Sequence, residues 1–156
     1  MRMTGWIVLF VLAALVAAAA WVRLAPVDPA RWHVDLGAGT LPAHAQVFCI
    51  RPDTPSGQIE GDPKALMSRL DAIALATPRT SRLAGSAEEG RITWITRSRL
   101  FGFPDYTTAQ VMPGPALCMA GRQGIGDYDW GVNAARVGAW AQGLLGLPEP
   151  PAMTGF

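Results

Sequence analysis

The sequence predicts an α+β protein: an N-terminal transmembrane helix, then one two-layer domain in which an antiparallel sheet of four or five strands is covered by two helices. Three observations predict it. Trp6 to Val22 is an unbroken apolar run of 17 residues between Arg2 and Arg23. Two later segments, Asp62–Ala76 and Gly131–Leu145, repeat apolar residues at helical spacing. Between and before them lie short runs rich in β-branched and aromatic residues, separated by Gly and Pro turns. With 156 residues the chain has room for one such domain and appendages. A formal net charge of +1 gives no global drive toward nucleic acid.

The apolar run would measure about 26 Å as a helix at ~1.5 Å per residue, slightly short of the ~30 Å hydrocarbon core of a bilayer. Arg23 can snorkel and lengthen it, and Trp6 and Trp21 mark the two interfaces. The reading is an uncleaved anchor over residues 1–24. The rival is a signal peptide, because Ala18-Ala19-Ala20 offers a small-x-small cleavage site. A long following domain translocates largely regardless of flanking charge, so the expected location is the inner membrane, single-pass, with the domain facing the periplasm. Residues 25–43, rich in Pro and Gly, read as a juxtamembrane linker; Trp32 and His33 within it either pack on the domain or rest at the membrane surface, His33 as a solvated or interfacial residue rather than a ligand.

The domain occupies 44–147 and a Pro-rich tail 148–156. Ala45–Ile50 reads as a strand stopped by Arg51-Pro52, and residues 52–61 as a loop. Asp62 is a natural N-cap and Pro63 suits the first helical position. Leu66, Met67, Leu70, Ile73 and Ala74 make the buried stripe, with Lys64, Ser68, Arg69 and Asp71 opposite. Pro78 ends the helix by restricting Thr77. Thr80–Ala84 reads as extended and Arg91–Arg99 as the central strand, with Ile92 and Trp94 on one face and Arg91, Thr93, Ile95, Arg97 and Arg99 on the other. The turn at Gly102-Phe103-Pro104-Asp105 leads into a strand over Tyr106–Met112; Pro113-Gly114-Pro115 reverses it into Ala116–Ala120. Gly138 and Gly143 in the closing helix suggest close packing there.

Twelve of the thirteen basic residues are arginine, and Arg79, Arg82, Arg91, Arg97 and Arg99 fall together. Two readings stay open for Arg97 and Arg99. They form an anion site, engaging a carboxylate or lipid phosphate with their forked guanidinium groups, or they tie turns together by pairing with Asp105, Asp127 or Asp129. Asp127-Tyr128-Asp129 has metal-like spacing, but the remaining ligands of a calcium loop are missing and an N-cap role explains Asp129, so no metal is expected. Gly121–Gly126 lacks the order and the lysine of phosphate loops. Cys49 and Cys118, the only cysteines, are a candidate disulfide or two buried thiols. His33 and His44 precede the core of the domain, and no nucleophile-elbow pattern surrounds Ser86 or Ser98, so no catalytic residue and no cofactor is expected.

From Thr77 to about Leu145 the chain resembles the domain-of-unknown-function family 1499, mostly bacterial and plastid proteins that are secreted or membrane-anchored. The residues that carry the resemblance are Pro78-Arg79-Thr80, Leu83-Ala84-Gly85, Thr96-Arg97-Ser98, Gly102 to Tyr106 and Asp129 to Arg136. The family's Cys-Pro and Pro-Asn-Cys pattern is reduced here to Phe48-Cys49-Ile50, and its Arg-Ser-x-Ser-Arg string is replaced by Ala120-Gly121-Arg122-Gln123. The resemblance implies an envelope location and brings no assigned activity. The arginine strand and the matching strings together make Arg79, Arg97, Ser98, Arg99, Asp105, Asp129, Asn133 and Arg136 one candidate ligand-binding or structural polar network. The expected function is a membrane-anchored extracytoplasmic domain, held through residues 6–22, that binds an envelope protein or an anionic ligand or lipid. The alternative is a hydrolase using a serine or metal-activated water near Ser98 and Asp105.

Overall fold

A computed structural model describes residues 2–39, 41–42, 44–51, 62–114, 116–126 and 128–147. The loop 52–61, Asp127 and the tail 148–156 lie outside the described residues. Helix α1 (Arg2–Leu24) is followed by a single turn α2 (Pro29–Trp32), strand β1 (Gln46–Ile50), helix α3 (Pro63–Ala76), strands β2 (Thr80–Ser86), β3 (Arg91–Arg97), β4 (Pro104–Met112) and β5 (Ala116–Gln123), and helix α4 (Val132–Leu145). The five strands form one antiparallel sheet in the order β1-β5-β4-β3-β2, so the fold is α+β with the sheet and covering helices expected.

Period-two alternation gives the sheet two unlike faces. Ile50, Ile92, Trp94, Ala109, Leu117 and Met119 point to the side covered by α3 and α4, where they meet Leu66, Met67, Leu70, Val137, Trp140 and Leu144. The indole rings of Trp94 and Trp140 meet edge to face, 5.4 Å between centroids, an arrangement that favours the ring quadrupoles. The caps of α3 follow from its sequence: the Asp62 carboxylate accepts the Lys64 N–H at 3.3 Å, Pro63 opens the helix, and Thr77 closes it in extended backbone. Of the two helical glycines, a Cβ added at Gly143 would meet Ile73 at an ordinary contact distance of 3.5 Å, whereas one added at Gly138 would meet nothing within 4 Å. The close packing expected at Gly138 is therefore absent; that residue borders an open cleft shared with Gln46, Val47 and Phe48 of β1.

Asp71 corrects a second expectation. It belongs to the buried side of α3, not the solvent side, because its position lies one residue from Leu70 at the margin of the apolar stripe. There its carboxylate accepts the indole N–H of Trp94 at 2.8 Å and a forked pair of N–H groups from Arg82. This one acid joins α3, β2 and β3. Asp71→Ala leaves a fully shielded indole N–H without its acceptor, so the substitution is expected to cost about 2–3 kcal/mol. Urea denaturation checks this, and a loss below about 0.5 kcal/mol, the range of surface substitutions, would contradict the assignment.

Candidate functional site

The opposite face of the sheet presents Arg91, Thr93, Ile95 and Arg97 from β3, Tyr106, Thr108 and Gln110 from β4, and Cys118, Ala120 and Arg122 from β5, as the strand registers dictate. Most of these groups are polar, and Thr93, Thr108 and Arg122 are buried. What buries them is the segment after α1. Trp32 lies flat on Tyr106, 3.7 Å between ring centroids and 11° between planes, while the Arg122 guanidinium sits 5.6 Å from the Trp32 ring centre. The expected linker is thus a third layer docked on the sheet.

Its backbone and side chains satisfy most of the face, although the buried Arg122 Nε finds no partner among the described residues. The Trp32 carbonyl accepts from Arg122 at 2.6 Å and from the Thr108 hydroxyl at 3.2 Å. Since Thr108 donates there, Thr93 must donate to Thr108, and His33 Nδ1–H to Thr93; both links measure 2.9 Å. Arg91 Nε–H completes the chain by donating to His33 Nε2 at 3.3 Å. Further along, the Leu36 N–H and the Asp35 carboxylate bind the Gln110 amide, and Arg91 approaches Asp35 at 3.9 Å. Gly85 (φ +85°) permits the docking: a Cβ there would stand 2.7 Å from the His33 ring and clash with the Arg91 carbonyl. Of the two placements expected for Trp32 and His33, packing on the domain is the one found, and His33 is a connecting residue rather than a solvated one. Arg122, which sequence reasoning passed over, is the most buried cation of the described domain. Burial pulls its guanidinium down to about 10, still protonated at neutral pH.

Arg97 does not make the pairing with Asp105 or Asp129 expected of it. Arg97 stands opposite Pro104, on the face away from the helices, whereas its neighbour in the register Asp105 points to the helix side. Alternation therefore separates the expected partners. Arg97 instead donates to two carbonyls, Val22 of α1 and Gly102 of the turn, each at 3.1 Å. Arg23 returns the contact by donating to the Leu100 carbonyl at 2.7 Å. Gly102 (φ +75°) makes room, because a Cβ would stand 2.5 Å from the Arg23 side chain. A cation at the carbonyl end of α1 also complements the helix dipole. Arg99 is exposed past the end of the strand, and no hydrogen bond of its side chain is described.

The other expected network residues divide into two groups. On the helix side, Asp105 pairs with Arg136 at 3.0 Å, and Arg136 also donates to Asn133 at 2.7 Å. Burial raises the Asp105 carboxyl above its ordinary range, against the opposing pull of Arg136. Asp129 is not the cap residue itself, which is Gly131. Its carboxylate reaches forward to accept the N–H groups of Gly131 and Asn133, and these outweigh burial to hold it below the ordinary range. At the turn, Arg79 Nε donates to the Arg97 carbonyl, and the Ser98 hydroxyl accepts the Phe103 N–H at 2.9 Å. Ser98 is thus engaged in closing a loop. On the outer face Cys49 and Cys118 stand opposite in the β1–β5 register and are joined as a disulfide. A shallow open cleft lined by Gln46, Phe48, Ala134 and Val137 contains none of these arginines, and no cluster of metal-ligating residues occurs among the described residues.

No family model, no curated protein and no solved structure matches the chain.

The His33 chain has a pH signature. Burial first, then Arg91 and Arg122, lower the His33 pKa below its ordinary 6.5, with Glu89 opposing. The unfolded chain then takes up the proton before the folded one, so this contribution to stability is complete above pH 6.5 and is lost as the pH falls through the lowered value. Denaturation midpoints recorded from pH 8 to 5 are expected to fall in the wild type and to flatten in His33→Gln, which keeps an acceptor for Arg91. Equal slopes in the two proteins would rule out this role for His33.

Proposed function

We propose that the chain is a single-pass membrane protein whose α+β domain stands on the periplasmic surface of the bilayer and binds an anionic lipid or an acidic envelope partner, without turning over a substrate. The observation that carries this reading is the reciprocal clamp between α1 and the β3–β4 turn. Helix α1 is long and apolar enough to cross a membrane: within the 22 residues Met3–Leu24 an 18-residue window has a mean hydropathy of 2.5, and none of that window is buried against the domain. Arg97 and Arg23 fix its carbonyl end directly to the domain. A domain held this way has no slack with which to leave the bilayer surface. The Cys49–Cys118 disulfide supports the oxidising side of the membrane, as does the resemblance to the envelope proteins of family 1499, which remains part of the proposal.

Three arginines are exposed, Arg23 at the end of α1, Arg31 in α2 and Arg99 in the β3–β4 turn, and they give an anionic headgroup its counter-charge. The hydrolase alternative lacks comparable support: Ser98 closes its own turn, and Asp105 is turned to Arg136 on the other side of the sheet. Native mass spectrometry of the detergent-extracted full chain is expected to show retained anionic phospholipid in preference to zwitterionic. Arg99→Ala, which touches no described hydrogen bond, should weaken that retention without lowering Tm. Equal retention of both lipid classes would contradict the lipid reading.

A further inference from the structure

The end of the sheet that receives α1 also exposes an aromatic rim. The β3–β4 turn and the β5–α4 segment lie side by side there, joined by the Gly124 N–H donating to the Pro104 carbonyl at 2.9 Å. From the first come Leu100, Phe101 and Phe103, and from the second Ile125, Tyr128 and Trp130, all exposed. Leu100, Tyr128 and Trp130 are each more than 70% accessible, at 73%, 74% and 78%. Phe101 stacks on Phe103, and Tyr128 meets Trp130 edge to face, so each pair is braced while facing outward.

The backbone is bent to achieve this. Trp130 adopts φ +54°, a left-handed conformation that bulky residues rarely take. Such strain persists only where the surroundings enforce it. Here the enforcement is explicit: Asp129 accepts the N–H groups of Gly131 and Asn133 with its carboxylate and that of Val132 with its carbonyl. The same bonds turn the one described acid of the segment inward, away from the rim. The fold thus spends a strained residue to hold an indole ring in the open, beside a turn hydrogen-bonded to the end of an apolar helix.

We infer that this rim, Leu100–Phe103 with Ile125, Tyr128 and Trp130, seats in the interfacial layer of the leaflet that α1 enters, so that the domain contacts the phospholipid surface directly. The inference rests on the anchoring reading and deepens it. Three features choose lipid over another occupant. The rim is continuous with α1 through Arg23 and Leu100. Its residues are those that prefer the headgroup level, Trp and Tyr with Phe and Leu. The exposed cation of its turn, Arg99, suits an anionic surface.

The test is nuclear magnetic resonance of the full chain in nanodiscs that contain phospholipid spin-labelled at the headgroup. Amide signals of Leu100–Phe103 and of Ile125, Tyr128 and Trp130 are expected to broaden, while that of Gly114, in the hairpin at the far end of β4, stays sharp. The double variant L100S/F101S, exposed positions on which the core does not depend, should lose most of the broadening in its turn. Broadening at Trp21–Arg23 without any at the rim would overturn the inference and leave the anchor intact. Absence of broadening at both would overturn the anchoring reading and the inference with it.

Discussion

A sheet with one polar face has to satisfy the groups it buries there, and in this protein a single backbone carbonyl does most of that. Trp32 presents its oxygen to Arg122 and Thr108 and its ring to Tyr106. Buried polar groups left without partners cost free energy comparable to a lost hydrogen bond, and a buried guanidinium more. Arg122 has no carboxylate within its hydrogen-bonding set, so the segment after α1 is a structural requirement of the sheet. Because that segment is covalently continuous with α1, satisfying the sheet also fixes the place where the helix leaves the domain.

The two faces divide the labour. The helix face is held by apolar packing and by two acids, Asp71 and Asp105, each paired with an arginine across elements. The outer face is held by a directed chain of hydrogen bonds running from Arg91 through His33, Thr93 and Thr108 to Trp32. Apolar packing tolerates small shifts, whereas a chain in which every hydroxyl has one donor role does not. The junction with α1 belongs to the second kind, which makes the geometry of the domain relative to the helix specific.

The elements were largely legible in the sequence because their signals are local. Asp62-Pro63 and Thr77-Pro78 bracket α3, and the Ile92–Trp94 alternation marks the buried side of β3. The partners of the arginines were not legible. Arg97 and Asp105 are close in sequence, but the pairing of Arg97 with Pro104 places their side chains on opposite faces, and a register is a tertiary fact. The acceptors Arg97 uses, and the one Arg122 finds outside the sheet, are backbone carbonyls of Val22, Gly102 and Trp32, groups every residue carries and no pattern advertises. The docking of the linker was hidden as well, since its contacts, made by the Trp32 ring and carbonyl, the His33 imidazole, Asp35 and the Leu36 amide, follow no periodicity. Asp71 misled because a carboxylate at the edge of an apolar stripe reads as solvated until Trp94 and Arg82 are seen around it. The exposed aromatics of the rim carried one signal that was available, their crowding beside glycines and aspartates in turns.

The measurement that tests this account most directly is the urea denaturation of Trp32→Ala in the full detergent-solubilised chain, followed by circular dichroism. If the segment after α1 is a layer of the domain, the loss of the stacked ring and the displacement of the carbonyl beneath it lower stability by about 2 kcal/mol or more. A change below about 0.5 kcal/mol, with the slope of the transition unaltered, would show that the sheet stands without its cover and would contradict the account.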